Sequence, residues 1–187
     1  MFRMFCGLAL VALVTGSAAA QDIAGKAGEA EALARDGKFV EAMAALDEAA
    51  NALWEQAPLS FRKVLWVAEP PGGFGLYNPR EDNVFDSGAE MIAYVEPVGF
   101  GWRKSGDVWV TDLVADLVVK SKEGEVLASQ PDFNQLQITS HVRNREFMAR
   151  FTYTFTGIQA GEYLVETVLR DKVSGKDGTF SLPITVR

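Results

Sequence analysis

Apolar residues recur every three to four positions in the segment KFVEAMAALDEAANALWEQA, residues 38–57. This spacing predicts a helix with one apolar face. The segment before it, DIAGKAGEAEALARD, is rich in Ala and Glu, Gly37 separates the two, and Pro58 follows the second. We therefore expect a helical hairpin over residues 21–57. The apolar face would carry Phe39, Met43, Leu46, Ala50, Leu53 and Trp54.

From Phe61 onward the pattern alternates with a period of two, which is typical of strands that bury one face. In FMARFTYTF, residues 147–155, every second residue is apolar, and FSLPITV, residues 180–186, repeats this pattern with Pro183 favouring an edge position. MIAYVEPV, DVWVTDLVADLVVK, EVLAS and QLQITSHV predict further strands, with turn residues between them. Residues 61–187 therefore predict an antiparallel β-sandwich of about seven or eight strands, in a mainly β protein with an N-terminal α-hairpin.

The first twenty residues have the organisation of a secretory signal. Arg3 precedes the apolar run MFCGLALVALV, and Ala18 to Ala20 match a small-residue cleavage site before Gln21. We expect a soluble protein, periplasmic or secreted, whose mature chain has no membrane span. Cys6 is the single cysteine and lies inside this segment, so the mature chain is expected to lack disulfides and thiolate ligands.

The segment LARDGKFVEAMAALDEAA, residues 33–50, resembles half of a tetratricopeptide repeat. Solenoids of this family need about three repeats, and this chain contains no second copy. The hairpin could bind a partner, pack against its own domain, or form a homodimer as a short coiled coil.

Two segments resemble immunoglobulin-like modules of exported bacterial proteins. FDSGAEMIAYVE is similar to their opening strands, and GEYLVETVLRDKVSGKDGTFSLPITV is similar to their last hairpin. The resemblance implies that Tyr163 is a tyrosine-corner residue and that an Asp closes the penultimate strand. It covers residues 61–187 and indicates a fold, because sandwiches of this type have many unrelated functions.

Several kinds of chemistry find no support in the sequence. The formal net charge of -7 disfavours nucleic-acid binding. EPPGGFGLYNPRED, residues 69–82, lacks the Lys-Ser/Thr pair and the following helix of a phosphate-binding loop. His141 has neither a nucleophile motif nor further zinc ligands near it. We therefore expect a protein that is not an enzyme and has no cofactor.

Carboxylates offer few sites. Asp112 and Asp116 share a strand face, but about 13 Å between their Cα atoms is too far for a shared metal or a retaining pair. They are expected to point outward and to discourage edge pairing.

Two alternatives use other carboxylates. Asn78, Glu81, Asp82 and Asn83 of the long loop could form an irregular calcium site. A hydrolase would use carboxylates such as Glu81, Asp82 and Glu96.

Gly-Phe-Gly occurs twice, in GGFGLY and in VGFGWR, and suggests a ligand site. Phe74, Tyr77, Phe100 and Trp102 could form a stacking platform for a sugar or peptide. If residues 61–69 and 90–98 are successive antiparallel strands, the two segments lie about 30 Å apart unless the long connection folds back. Otherwise the rings cover the ends of the core.

The sequence thus predicts an exported, non-catalytic module that binds an unidentified protein or envelope component. A carbohydrate- or small-ligand-binding sandwich that uses the Gly-aromatic loops is the alternative. The sequence assigns no catalytic and no metal-binding residue.

Overall fold

The computed structural model describes the backbone from residue 18 to Arg187 and the side chains from residue 22 onward. The predicted signal peptide lies, up to residue 17, outside the described residues, and its cleavage stays a prediction. The chain divides into two compact units, one that ends at Leu53 and one that runs from Trp54 to Arg187.

Two helices precede the strands, as predicted: α1 (Ala18–Arg35) lies in the first unit, and α2 (Phe39–Gln56) ends just beyond it. The turn between them ends α1 in a Schellman motif, in which the N–H of Lys38 donates to Leu33 O and that of Gly37 to Ala34 O. Gly37 has a φ of 75°, which a residue without a Cβ adopts at no steric cost. Lys26 and Glu48 interact electrostatically at equal distances in sequence from Gly37, as an antiparallel hairpin requires.

Helix α2 buries only part of the apolar face that the sequence predicts. Trp54 is buried near its C-terminal end, and the other buried residues are small or polar, namely Ala42, Ala45, Ala49 and Asn51. Four of the predicted large side chains remain exposed, from 53% at Leu46 to 66% at Met43. Alanines bury little area each, so the apolar surface before Trp54 stays largely in contact with solvent.

The second unit contains nine strands among the described residues, so the fold is mainly β with two N-terminal helices. They are β1 (Ser60–Val67), β2 (Val84–Phe85), β3 (Glu90–Val98), β4 (Arg103–Ser105), β5 (Val108–Ser121), β6 (Val126–Ser140), β7 (Ala149–Thr154), β8 (Gly161–Asp171) and β9 (Asp177–Val186). One sheet has the order β1-β3-β7. The other has the order β2-β9-β8-β5, with β4 and β6 both paired to β5.

The strand pairs are antiparallel with one exception, because β2 pairs with β9 in parallel. The predicted antiparallel arrangement therefore holds for the remaining pairs only. The short strands β2 and β4 are too brief to give a hydrophobic period, which explains the lower predicted strand number. Asp112 and Asp116 lie on β5, which has neighbours on both sides, so the expectation that they protect an edge is wrong.

Both sheets contribute to one hydrophobic core. Ala93, Val95 and Phe151 from the first sheet and Leu113 and Leu169 from the second are completely buried and belong to one cluster. The predicted alternation along β7 is confirmed, because Ala149, Phe151 and Tyr153 are buried and the residues between them are exposed. Along β9, the predicted inward residues Phe180, Leu182, Ile184 and Val186 are all buried.

A bulge in β6 joins two segments that the sequence predicts as separate strands. Three residues, 131–133, lie opposite Asp116, and Asp132 has a φ of 51°. The extra residues turn Phe133 toward the core, where its ring stacks on Tyr153 with centroids 5.3 Å apart. Arg170 holds the bulge, because its guanidinium donates to the carboxylates of both Asp116 and Asp132.

The segment that connects α2 to β1 packs against two glycines. A Cβ at Gly99 would lie 2.3 Å from Pro58 O, and one at Gly178 would lie 2.4 Å from Leu59 O. Lys176 binds the same region, because its ammonium donates to Ala57 O at 2.7 Å and to Gly99 O at 2.9 Å. A third bond to Glu55 O satisfies a carbonyl at the C-terminal end of α2.

We predict that Gly178→Ala lowers the free energy of unfolding by about 2 kcal/mol or more, because the new methyl group overlaps a backbone carbonyl that cannot move alone. Urea denaturation of both proteins measures the change. Gly72→Ala is the matched control, since its Cβ would meet atoms no closer than 3.7 Å. Equal effects of the two substitutions would contradict the steric explanation.

Candidate interaction site

Phe100, one of the four predicted ligand-stacking residues, lies in the core. Its side chain is 1% exposed, and its ring packs edge-on against Trp54 at 5.1 Å and Phe147 at 5.7 Å. The indole N–H of Trp54 donates to Phe100 O at 2.8 Å. Phe100 therefore has no free ring face on which a ligand could stack.

Trp102 is half-buried beside it. Its ring stacks on Trp54 with centroids 5.6 Å apart and an interplanar angle of 26°. Trp54, Phe100 and Trp102 thus form one aromatic cluster at the end of the core, the arrangement that the sequence leaves as the alternative to a platform. The sequence indicates Trp54 only as a helix residue, because its contacts lie far away in the chain.

The long connection after β1 folds back along the sheet. Its two arms are joined by hydrogen bonds from Ala68 N to Asn78 O at 2.9 Å and from Arg80 N to Trp66 O at 3.0 Å. A tight turn at its tip is closed by Gly72 N donating to Leu76 O. We name residues 68–83 the folded-back loop.

The folded-back loop packs against the three-stranded sheet through a second, small cluster. The ring centroid of Tyr77 lies 4.1 Å from that of Tyr94 on β3. The cluster also contains Val67, Ile92, Leu65 and Met148. Phe74 is half-buried with the Arg62 guanidinium 6.0 Å from its ring centroid. Because Tyr77 and Phe100 belong to different clusters, the four predicted residues do not form a single platform.

A buried chain of polar groups fixes the loop to the sheet. The hydroxyl of Tyr94 donates to Glu96 Oε1 at 2.7 Å and accepts the N–H of Gly75 at 2.7 Å. Burial raises the pKa of Tyr94 to about 12, and the hydrogen bond to the Glu96 carboxylate adds to this, although the Gly75 N–H opposes it. Glu96 accepts a structural hydrogen bond here, which leaves it a poor candidate for acid catalysis.

The outer side of the folded-back loop lines a surface depression, open to solvent, with a volume of about 500 Å³. Leu76 at its rim is 65% exposed. The depression offers the apolar side chain of Leu76, the ring of Tyr77 and the carboxylate of Glu69, which accepts a hydrogen bond from the Asn78 amide. This mixture of apolar and polar groups suits the binding of a small ligand. Its lining comprises Glu69, Pro70, Gly72, Gly75, Leu76, Tyr77 and Asn78.

Two of the candidate acidic residues, Asp82 and Asp116, form ion pairs with arginines. Asp82 accepts from Arg80 at 2.9 Å, which lowers the pKa of its carboxyl. The bidentate contact with Arg170 lowers the pKa of Asp116 in the same way. Within residues 22–187, no group of three or more His, Cys, Asp or Glu side chains is arranged to hold a metal ion.

Asp171, which closes β8, is buried and fixes the turn before β4. Its carboxylate accepts the N–H of Gly101 at 2.6 Å and that of Val173 at 2.9 Å. An ordered turn at this point positions Trp102 against Trp54. Asp171 is therefore a positioning residue for the aromatic cluster.

Among the described residues, the exposed large apolar side chains are most numerous on α2. Phe39, Met43, Leu46 and Leu53 lie, together with Ala50, at intervals of four and three residues, which is the spacing of a heptad repeat, and Val40 flanks this row. We name this surface the α2 seam. It consists of Phe39, Val40, Met43, Leu46 and Leu53, each more than half exposed, with Ala50 between them.

The chain matches no family model and no curated protein. Solved structures give weak likenesses only. They include AlkC, an alkylpurine DNA glycosylase of Pseudomonas fluorescens bound to DNA with an abasic site analogue, at 9% identity and a TM-score of 0.38. That match covers 82% of this chain and 39% of the glycosylase.

Two further structures are similar to the same degree. Spo0M, a sporulation control protein of Bacillus subtilis, matches with 16% identity and a TM-score of 0.32, over 70% of this chain and 50% of its own. A CARDB domain from Pyrococcus furiosus, in complex with di-metal ions, matches with 12% identity and a TM-score of 0.31, over 71% and 94%. Likenesses this weak bear on neither family nor function. Among the described residues, no helix has both the length and the apolar character needed to cross a bilayer.

We predict that alkaline pH destabilises the folded-back loop through Tyr94. A free tyrosine titrates near pH 10. Since the folded pKa is about 12, the unfolded chain loses this proton first, and stability falls as pH rises from 10 to 12. Urea denaturation at several pH values measures the fall.

Tyr94→Phe removes the titrating group, so its stability should fall less steeply over the same pH range. The other tyrosines are present in both proteins, so their contributions cancel when the free energies of unfolding of the two proteins are subtracted at each pH. Parallel pH profiles for the two proteins would contradict the assignment.

Proposed function

We propose that the protein is an exported, non-catalytic interaction module and that the α2 seam is its binding surface. The observation that carries the proposal is the exposure of five large apolar side chains on one helix face. Apolar residues scattered singly on a surface are normal, whereas a contiguous patch of this kind marks an interaction site. Heptad spacing further favours another helix as the element that covers it.

We also propose that the β unit is an immunoglobulin-like sandwich, which would present the helical hairpin from a stable scaffold. Tyr163 supports this, because its hydroxyl donates to Gln159 O at 2.9 Å, four residues upstream, as in a tyrosine corner. The strand order supports it too. The strand order β9-β8-β5-β6 corresponds to strands G, F, C and C′ of an immunoglobulin variable-type sheet. The order β1-β3-β7 corresponds to strands A, B and E of the opposite sheet.

A second candidate function uses the folded-back loop to bind a carbohydrate or another small ligand. The open depression beside Leu76 and Tyr77 favours it. Its platform would be smaller than the sequence predicts, since Phe100 is buried and Trp102 stacks on Trp54. Phe74 and Tyr77 are the two predicted residues that remain near this surface.

For the main proposal we predict that a photo-crosslinking amino acid at position 43 captures a defined envelope component in the exporting host. The same group at Ala32, an exposed residue of α1, serves as the matched control. Leu46→Glu in the same chain should reduce the adduct at least about tenfold, because a buried charge opposes apolar docking. Equal yields at positions 43 and 32, or no effect of Leu46→Glu, would contradict the proposal.

For the second candidate we predict that Leu76→Asp weakens binding of an envelope polysaccharide at least about tenfold in titration calorimetry. Leu127→Asp is the matched control, because Leu127 is also an exposed leucine but lies on β6. Absence of heat with the wild-type protein would exclude the loop as a polysaccharide site. The same loss with both variants would also count against it.

A further inference from the structure

We infer that the α2 seam is covered by the α2 seam of a second copy of this chain, in an antiparallel arrangement. The inference rests on the proposed function, for which it names the partner. Helix α2 has two rows of residues with heptad spacing. The alanine row is buried, whereas the row of large side chains is exposed. A helix with a second, unfilled seam of this spacing is built to pack against one more helix.

The side chains of the seam complement one another in an antiparallel pair. Phe39 and Ala50 lie at equal distances from the midpoint of the seam between residues 44 and 45, and so do Met43 and Leu46. The large ring of Phe39 would therefore face the small Ala50 of the second copy, and Met43 would face Leu46. Pairing a large side chain with a small one, and two side chains of medium size with each other, fills the space between two helices evenly.

The helix dipoles favour the same direction. Antiparallel packing sets the N-terminal end of each α2 beside the C-terminal end of the other, where opposite partial charges attract, whereas parallel packing would align the helix dipoles unfavourably.

The exposed area of the seam sets the size of the contact. Side chains of this type expose on the order of 100–200 Å² each, so five that are more than half exposed provide roughly 400–500 Å² per copy. Two copies would together bury roughly 800–1,000 Å², which lies at the small end for specific interfaces and fits a dimer that dissociates in the micromolar range. A two-fold axis through the seam satisfies both copies with the same residues.

Sedimentation velocity of the protein, purified as its host processes it, tests the inference between about 1 and 100 μM. We expect a species with twice the mass of one chain. Leu46→Glu should raise the dissociation constant at least about hundredfold with an unchanged circular dichroism spectrum. Leu76→Glu, which places the same charge at an exposed leucine of the folded-back loop, should leave the dimer intact.

Engineered cysteines test the direction of packing in a chain whose Cys6, where retained, is replaced by Ser. A mixture of Phe39→Cys chains and Ala50→Cys chains should form disulfides mainly between the two variants. Disulfides mainly between two Phe39→Cys chains would overturn the antiparallel arrangement. A wild-type protein that stays monomeric at 100 μM, or a dimer that tolerates Leu46→Glu, would overturn the inference altogether.

The outcomes also separate this inference from the proposed function. A monomer that still forms a crosslink from position 43 to an envelope component would exclude self-association and keep the interaction module. A dimer without any envelope adduct at position 43 would support the second copy as the partner.

Discussion

The β unit depends on the close approach of the segment after α2 to the backbone at two places, Gly99 in the turn after β3 and Gly178 in β9. Residues 57–59 have room between Gly99 and Gly178 because neither carries a Cβ, and Lys176 donates to three carbonyls gathered there. Each backbone carbonyl at a helix end needs a partner once it leaves water. The Lys176 ammonium group donates hydrogen bonds to three backbone carbonyls. A single side chain therefore holds together the end of α2, the turn after β3 and the start of β9.

This junction also determines where the aromatic residues can lie. With the last turn of α2 fixed, Trp54 reaches Phe100 and Trp102 in the turn after β3, and its indole N–H donates to Phe100 O. Asp171 orders the backbone of that turn from the other side. Buried tryptophans are stable only when the indole N–H finds an acceptor. The Gly-Phe-Gly-Trp segment therefore serves the core, and its glycines serve the close packing of backbone rather than access for a ligand.

The success of the sequence predictions depended on how local the controlling interactions are. The alternation along β7 and β9 follows from burial of one face by near neighbours, and the hairpin turn follows from Gly37 alone. The path of the folded-back loop could not be predicted, because the Tyr77–Tyr94 contact and the Gly75–Tyr94 hydrogen bond join residues that only the folded sheet brings together. The union of two segments into β6 likewise depends on Arg170, which holds the bulge from a neighbouring strand. The sequence could not decide which face of α2 the chain itself covers, because α2 carries one row of alanines and one row of larger apolar residues, and only the folded structure shows that the alanine row is buried.

The distribution of exposed apolar side chains argues for the helix rather than the loop as the functional surface. On the described part of the chain, the large residues of this kind outside α2 are Leu76, Val126, Leu127 and Val142, which lie singly or in a pair. Five others share one side of one helix. Among the described residues, every aromatic side chain except Phe39 is buried or half-buried, and Trp54, Trp66, Phe100 and Tyr153 lie in the core. A regular row of Phe, Met and Leu in contact with water is unfavourable, and binding to another surface would remove that cost in hydration.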